Sequence, residues 1–132
     1  MAQFISALTL VVDDYDKAIA FYVDVLGFSL IEDTVLSAEK RWVVVQPDFP
    51  ESQHAASLLL AKADGEEQRA SIGNQTGGRV AFFLRTNDFH KDYQTLKEKG
   101  VCFLEEPRAE PYGHVVVFAD PFGNKWDLLE HI

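Results

Sequence analysis

At 132 residues, with 47% hydrophobic and 12% aromatic side chains, the chain has the size and apolar content of one domain with a real core. Twelve basic against 21 acidic residues leave a net charge of −9, which argues against phosphate-neutralising nucleic-acid binding and against anionic membranes. The single cysteine, Cys102, excludes an internal disulfide or CxxC site, and the apolar run at 4–12 is too short for a bilayer, so a reduced, cytoplasmic setting is expected.

In chain order, a strand is expected over 7–12, followed by a helix opened by Asp14 and closed near Gly27. Asp14 is a good N-cap because its short side chain can accept orphan N–H groups of the first turn. Ala18, Ile19, Tyr22 and Leu26 recur at helical spacing, and Gly27 stands where a left-handed terminator is wanted. Strands follow over 28–31, 41–46 and 56–61, with 32–40 read as a polar connection.

The same order then repeats. A strand over 80–84 leads to Asp88, a helix carrying Phe89, Tyr93 and Leu96 on one face, and Gly100; strands follow over 101–104, 114–118 and 126–129. Asp14, Tyr15 and Lys17 match Asp88, Phe89 and Lys91 at one offset. Residues 120–124, Asp-Pro-Phe-Gly-Asn, have the chemistry of a hairpin turn between the last two strands. Residues 63–78 read as a flexible linker; their glycines are not followed by Lys-Ser or Lys-Thr and a helix, so no phosphate loop is expected. The fold class is thus α+β, with two tandem βαβββ modules in a single domain spanning 1–132: module 1 over 4–62, the linker over 63–78, and module 2 over 79–132.

The paired modules, the Asp-Tyr-Asp-Lys-Ala-Ile-Ala-Phe-Tyr and Leu-Gly-Phe pattern within 14–28, and Asp-Pro-Phe-Gly-Asn-Lys-Trp-Asp-Leu at 120–128 resemble the vicinal oxygen chelate superfamily. That group includes glyoxalase I, bleomycin resistance proteins and extradiol dioxygenases. The resemblance implies curved sheets lining a cleft and completion as a homodimer. It also implies four positions for a divalent metal, which fall here on Ala7, Leu58 (Leu59 if the register slips by one), Ala81 and Asp127. Alanine and leucine offer no lone pair, and Asp127 alone is too few donors, so no metal and no other cofactor is expected; a displaced divalent metal is the alternative.

Strand alternation groups the remaining cleft candidates. Arg79 and Phe83 should share a face with Ala81, and Trp42 could stack on a planar ligand or a cation. Arg79 could pair with Asp127 and grip an anionic ligand group, but a structural pair or a solvated arginine at a wet strand start is the preferred reading. Trp126, opposite Asp127, is assigned to helix packing. Among the histidines, His54, His90 and His131 read as solvated groups, no two have metal-type spacing, and His114 is kept as a cleft candidate because it lies on a strand. Cys102 reads as a buried, inert thiol, and Glu105-Glu106 before Pro107 as a charged strand edge.

The expected function is capture of a small aromatic or amphipathic molecule by a metal-free homodimer, with the acidic balance suiting a cationic ligand. The alternative is an enzyme of the same superfamily, a lyase, isomerase or dioxygenase, using Asp127, His114 and Arg79 with an unusual metal site or none. No catalytic residue is assigned.

Overall fold

The computed structural model describes residues 1–50 and 55–132; His54, singled out above, lies outside the described residues. The chain divides into two compact units, Met1–Ser71 and Ile72–Ile132. The fold is α+β, with one mixed sheet in each unit.

In the first unit β1 (Ala7–Val12) leads to α1 (Tyr15–Ile19), which continues as a π-helical turn over Ala20–Val25. Asp14 caps α1, its Oδ1 accepting the Lys17 N–H at 2.8 Å. The helix was expected to run regularly to Leu26; instead the Leu26 N–H reaches back five residues to the Phe21 carbonyl, at 2.9 Å. The wider turn seats the consecutive aromatics Phe21 and Tyr22 both in the core. Gly27, at φ 81°, then reverses the chain as a left-handed terminator.

Strands β2 (Ser29–Val35), β3 (Arg41–Gln46) and β4 (Ser57–Lys62) follow, in sheet order β1-β4-β3-β2. β2 extends into the segment expected to be a polar connection, because Asp33, Thr34 and Val35 pair with Val43, Trp42 and Arg41. β1 lies parallel to β4, with Leu10 opposite Leu60. Leu10, Val12, Val43, Val45, Leu58 and Leu60 are buried on the side that meets α1. Residues 63–78, read as a flexible linker, contain α2 (Glu66–Ser71). Its start is held by the Asp64 N–H donating to Gln68 Oε1 at 2.9 Å, and the run Glu66, Glu67, Gln68, Arg69, Ala70 has high helix propensity with acids in its first turn.

The second unit repeats the plan with β5 (Val80–Arg85), α3 (Phe89–Glu98), β6 (Cys102–Phe103), β7 (Arg108–Glu110), β8 (Gly113–Ala119) and β9 (Lys125–His131). The sheet runs β5-β9-β8-β6, with β7 also on β8. Where the first unit has one edge strand, this unit has two short pieces, since Pro107 cannot donate to a ladder. Glu105 fills the break: its Oε2 accepts the Val117 N–H at 3.0 Å. Cys102, expected to be buried, is exposed, because β6 is a two-residue edge strand with little to cover it.

Residues 120–124 form the hairpin turn between β8 and β9. Asp120 Oδ1 accepts the N–H groups of Phe122 (2.9 Å) and Asn124 (2.8 Å), and Oδ2 accepts from Asn124 Nδ2 (2.8 Å). The turn is packed from outside by Gly73, where a Cβ would collide with the Phe122 carbonyl, so this glycine of the 73–78 run answers to packing. No helix among the described residues is long and apolar enough to cross a membrane.

Candidate functional site

Each sheet buries one face under helices and leaves the alternate side chains on the other. In the first unit that second face carries Ala7 and Thr9 on β1, Trp42 and Val44 on β3, and Leu59 on β4. Trp42 is 41% exposed and stands opposite Thr34 in the ladder. Leu58 belongs to the other side: it is buried against the helix, while Leu59 pairs with Thr9 and Val44 on the open face. Of the two registers left open by the sequence, the structure thus places Leu59 beside the strand positions of Ala7 and Thr9. The open face of this unit offers no carboxylate or imidazole at the family-type positions.

In the second unit the open face centres on Asp127. Its ladder partners are Phe83 on β5 and Val117 on β8, and Phe83 is 67% exposed. Asp127 is half-buried, and its Oδ1 is covered from solvent without a hydrogen-bond partner. Burial pushes its carboxyl above the usual aspartate range; the Arg108 guanidinium opposes this and the Glu105 carboxylate reinforces it. Arg108 is committed elsewhere, its Nε shared by both Glu105 oxygens at 3.0 Å and its Nη1 on Glu110 Oε1 at 2.6 Å. An exposed phenyl ring therefore stands beside a carboxylate that lacks a full complement of donors.

The other expected residues lie elsewhere. Ala81 sits at a register shift between Val80 and Phe82. The extra residue breaks the simple alternation that grouped Arg79 with Phe83. Arg79 is exposed ahead of β5, its carbonyl accepting the Thr76 hydroxyl at 2.7 Å, and it makes no ion pair among the described residues. The suggested Arg79–Asp127 pair is not formed. His114, expected in the cleft, stands on the helix side instead, stacked on Phe89 at 5.6 Å. Alternation decides this: His114, Val116 and Phe118 point one way, and Val115 and Val117 the other. Trp126 packs on that helix side between Phe82 and Phe118, as expected.

A single carboxylate among alanine, leucine and a bulged alanine does not fit a tightly held structural or catalytic divalent metal, for which three or four protein donors are usual. Among the described residues, no three His, Cys, Asp or Glu side chains are gathered as a metal site.

Two polar clusters were not visible in the sequence. Arg41, on the helix side of β3, donates from Nε and Nη2 to Asp33 at 3.1 and 2.7 Å and from Nη1 to Asp16 at 2.9 Å, with its guanidinium over the Tyr15 ring. It borders a pocket of about 260 Å³ at the start of α1, lined also by Tyr15, Lys40 and Lys62. The Arg108–Glu105–Glu110 cluster is the second. The first joins α1, β2 and β3 and has no local signature, whereas the second lies within residues 105–110, where the alternating charges of the sequence are a hint.

A family model described as the Glyoxalase/Bleomycin resistance protein/Dioxygenase superfamily matches residues 4–128. An uncharacterized protein of Shewanella frigidimarina is 50% identical over 131 residues, covering 98% of this chain and 95% of that protein. The uncharacterized protein YurT of Bacillus subtilis is 32% identical over 122 residues, covering 90% and 92%. Among solved structures, UcmS2 superposes with a TM-score of 0.82 at 31% identity, covering 98% of each chain. TnmS3, an antibiotic binding protein from Streptomyces sp. CB03234, gives a TM-score of 0.77 at 28% identity, covering 99% of this chain and 98% of that one.

Proposed function

Because this chain belongs to the Glyoxalase/Bleomycin resistance protein/Dioxygenase superfamily, we propose that it is a cytoplasmic small-molecule binding protein. It acts as a homodimer, without metal at the family's usual positions, and captures an aromatic or amphipathic molecule that carries a cationic or hydrogen-bond-donating group. The observation that carries this reading is the pairing of Phe83 with Asp127. A ring two-thirds exposed supplies a stacking surface, and the buried Oδ1 lacks the donor that a buried acceptor requires. A ligand ammonium or N–H brought to the half-buried Asp127 carboxylate offsets its charge, while the ligand's ring covers Phe83. Exposed Trp42 gives the first unit a second aromatic surface of the same kind. The reading is further supported by similarity to TnmS3, an antibiotic binding protein.

The test is titration of the protein, in the presence of a chelator, with a panel of planar aromatic amines and matched neutral aromatics, followed by tryptophan fluorescence and calorimetry. Amines bind and neutral analogues bind more weakly; Asp127→Asn loses most of that preference, and Phe83→Ala weakens both classes. Light scattering reports the dimer. A panel without a binder, or an Asp127→Asn variant with unchanged preference, overturns the reading.

One observation favours an enzyme instead. A carboxyl that burial holds above its ordinary range keeps its proton more readily than a free aspartate, which suits a proton-transfer role. Turnover in glyoxalase or ring-cleavage assays with added divalent metals, lost in Asp127→Asn, would establish that activity.

A further inference from the structure

The helix side of the second unit gathers two imidazoles that are far apart in sequence. His90 lies in the first turn of α3 and His114 on β8, with ring centres 4.9 Å apart and planes tilted by 60°. Both rest on Phe89, which is fully buried: His114 stacks on it at 5.6 Å and 25°, and His90 meets it edge-on at 5.5 Å and 85°. Glu130, the ladder partner of His114 on β9, accepts the Phe89 N–H on Oε1 at 2.7 Å, which fixes a carboxylate at the same end of the helix.

We propose that His90 and His114 form a two-imidazole site for a divalent first-row transition ion, with copper(II) held most tightly. Imidazole nitrogens suit copper, nickel and zinc, and copper(II) heads the affinity order for such donors. Nitrogen ligands stand about 2.0–2.1 Å from zinc, so two imidazoles sharing one ion have ring centres about 5 Å apart. The observed 4.9 Å fits that separation. His90 is exposed, giving the ion an entry path, and the chain's net charge of −9 favours cations. No third side chain is gathered on the pair among the described residues, so solvent completes the coordination and the ion exchanges readily. Bound there, the ion pins the first turn of α3 to β8 and raises thermal stability by linkage. The site lies on the opposite face of the sheet from Asp127, and its fate is independent of the function proposed above.

Metal-stripped protein titrated with copper(II) tests this, by calorimetry, electron paramagnetic resonance and thermal melting. Saturable binding with nitrogen hyperfine coupling and a raised melting temperature is expected. His90→Ala, an exposed position that should not compromise folding, weakens binding by at least about tenfold and abolishes the gain in melting temperature. Cys102→Ser, His54→Ala and His131→Ala leave both unchanged. Absence of saturable binding, wild-type affinity in His90→Ala, or loss of binding in Cys102→Ser overturns the proposal.

Discussion

Phe83 and Asp127 are partners across the parallel β5–β9 ladder, so a solvent-facing ring stands beside a carboxylate oxygen that is buried without a donor. This pairing places a destabilising group at the centre of the second unit's open face, a pattern expected where a site is built for a ligand.

That group sets the first prediction. The folded carboxyl of Asp127 lies above 3.8, so the native state holds its proton longer than the unfolded chain does. Its contribution is most favourable below 3.8 and is lost as pH rises through the folded value. Asp127→Asn should therefore be more stable than wild type at neutral pH, by about 1 kcal/mol, the scale of one poorly satisfied buried group. The gain should vanish in acid. Urea melts across that pH range measure it.

Arg41 gives the opposite sign. Its hydrogen bonds hold Asp33 below the usual aspartate range, against the opposing effect of burial. The resulting stability is present above 3.8 and is lost as pH falls through the folded value. Arg41→Ala should lose up to about 1 kcal/mol at neutral pH, since the pair is partly exposed to solvent, and the deficit should shrink in acid. Arg41→Lys should not rescue it, because an ammonium cannot grip Asp33 and Asp16 together as the guanidinium fork does.

Asp120 anchors the β8–β9 turn through three accepted hydrogen bonds. Asp120→Ala leaves those donors unpaired at a buried site and should lower stability by about 3 kcal/mol in chemical denaturation. Asp120→Asn, which keeps one acceptor oxygen, should lose less.

The repeated caps allow an internal comparison. Asp14 accepts the Lys17 N–H at 2.8 Å and Asp88 the Lys91 N–H at 3.4 Å. Each change to Ala should lose about 1 kcal/mol, the usual scale for a cap. The loss should be larger at Asp14, whose bond is shorter, as read from equilibrium unfolding of the two variants.

Both modules were legible in the sequence because their signals are local: a capping aspartate, a 3.6-residue stripe and a terminating glycine recur at one offset. Trp126 and Asp127 were likewise placed by simple alternation. Alternation fails where one extra residue enters a strand, at Ala81; it leaves Leu58 and Leu59 open, and it does not say which side of β8 the helix covers, which is what decides the face of His114. α2 was hidden because its helix formers lie among glycines and polar residues. The His90–His114 contact has no local signature at all, since it depends on where α3 docks.

In both units the opening and closing strands lie side by side in parallel, Ala7 meeting Ser57 and Val80 meeting Lys125. A tight turn cannot join such neighbours. Pairing across either seam must overcome the closure entropy of the long intervening chain, so it is expected to be the slow event of refolding. Substitutions in β1 or β5 should for that reason show in how fast the protein recovers from denaturant, beyond any change in how much of it is native at equilibrium.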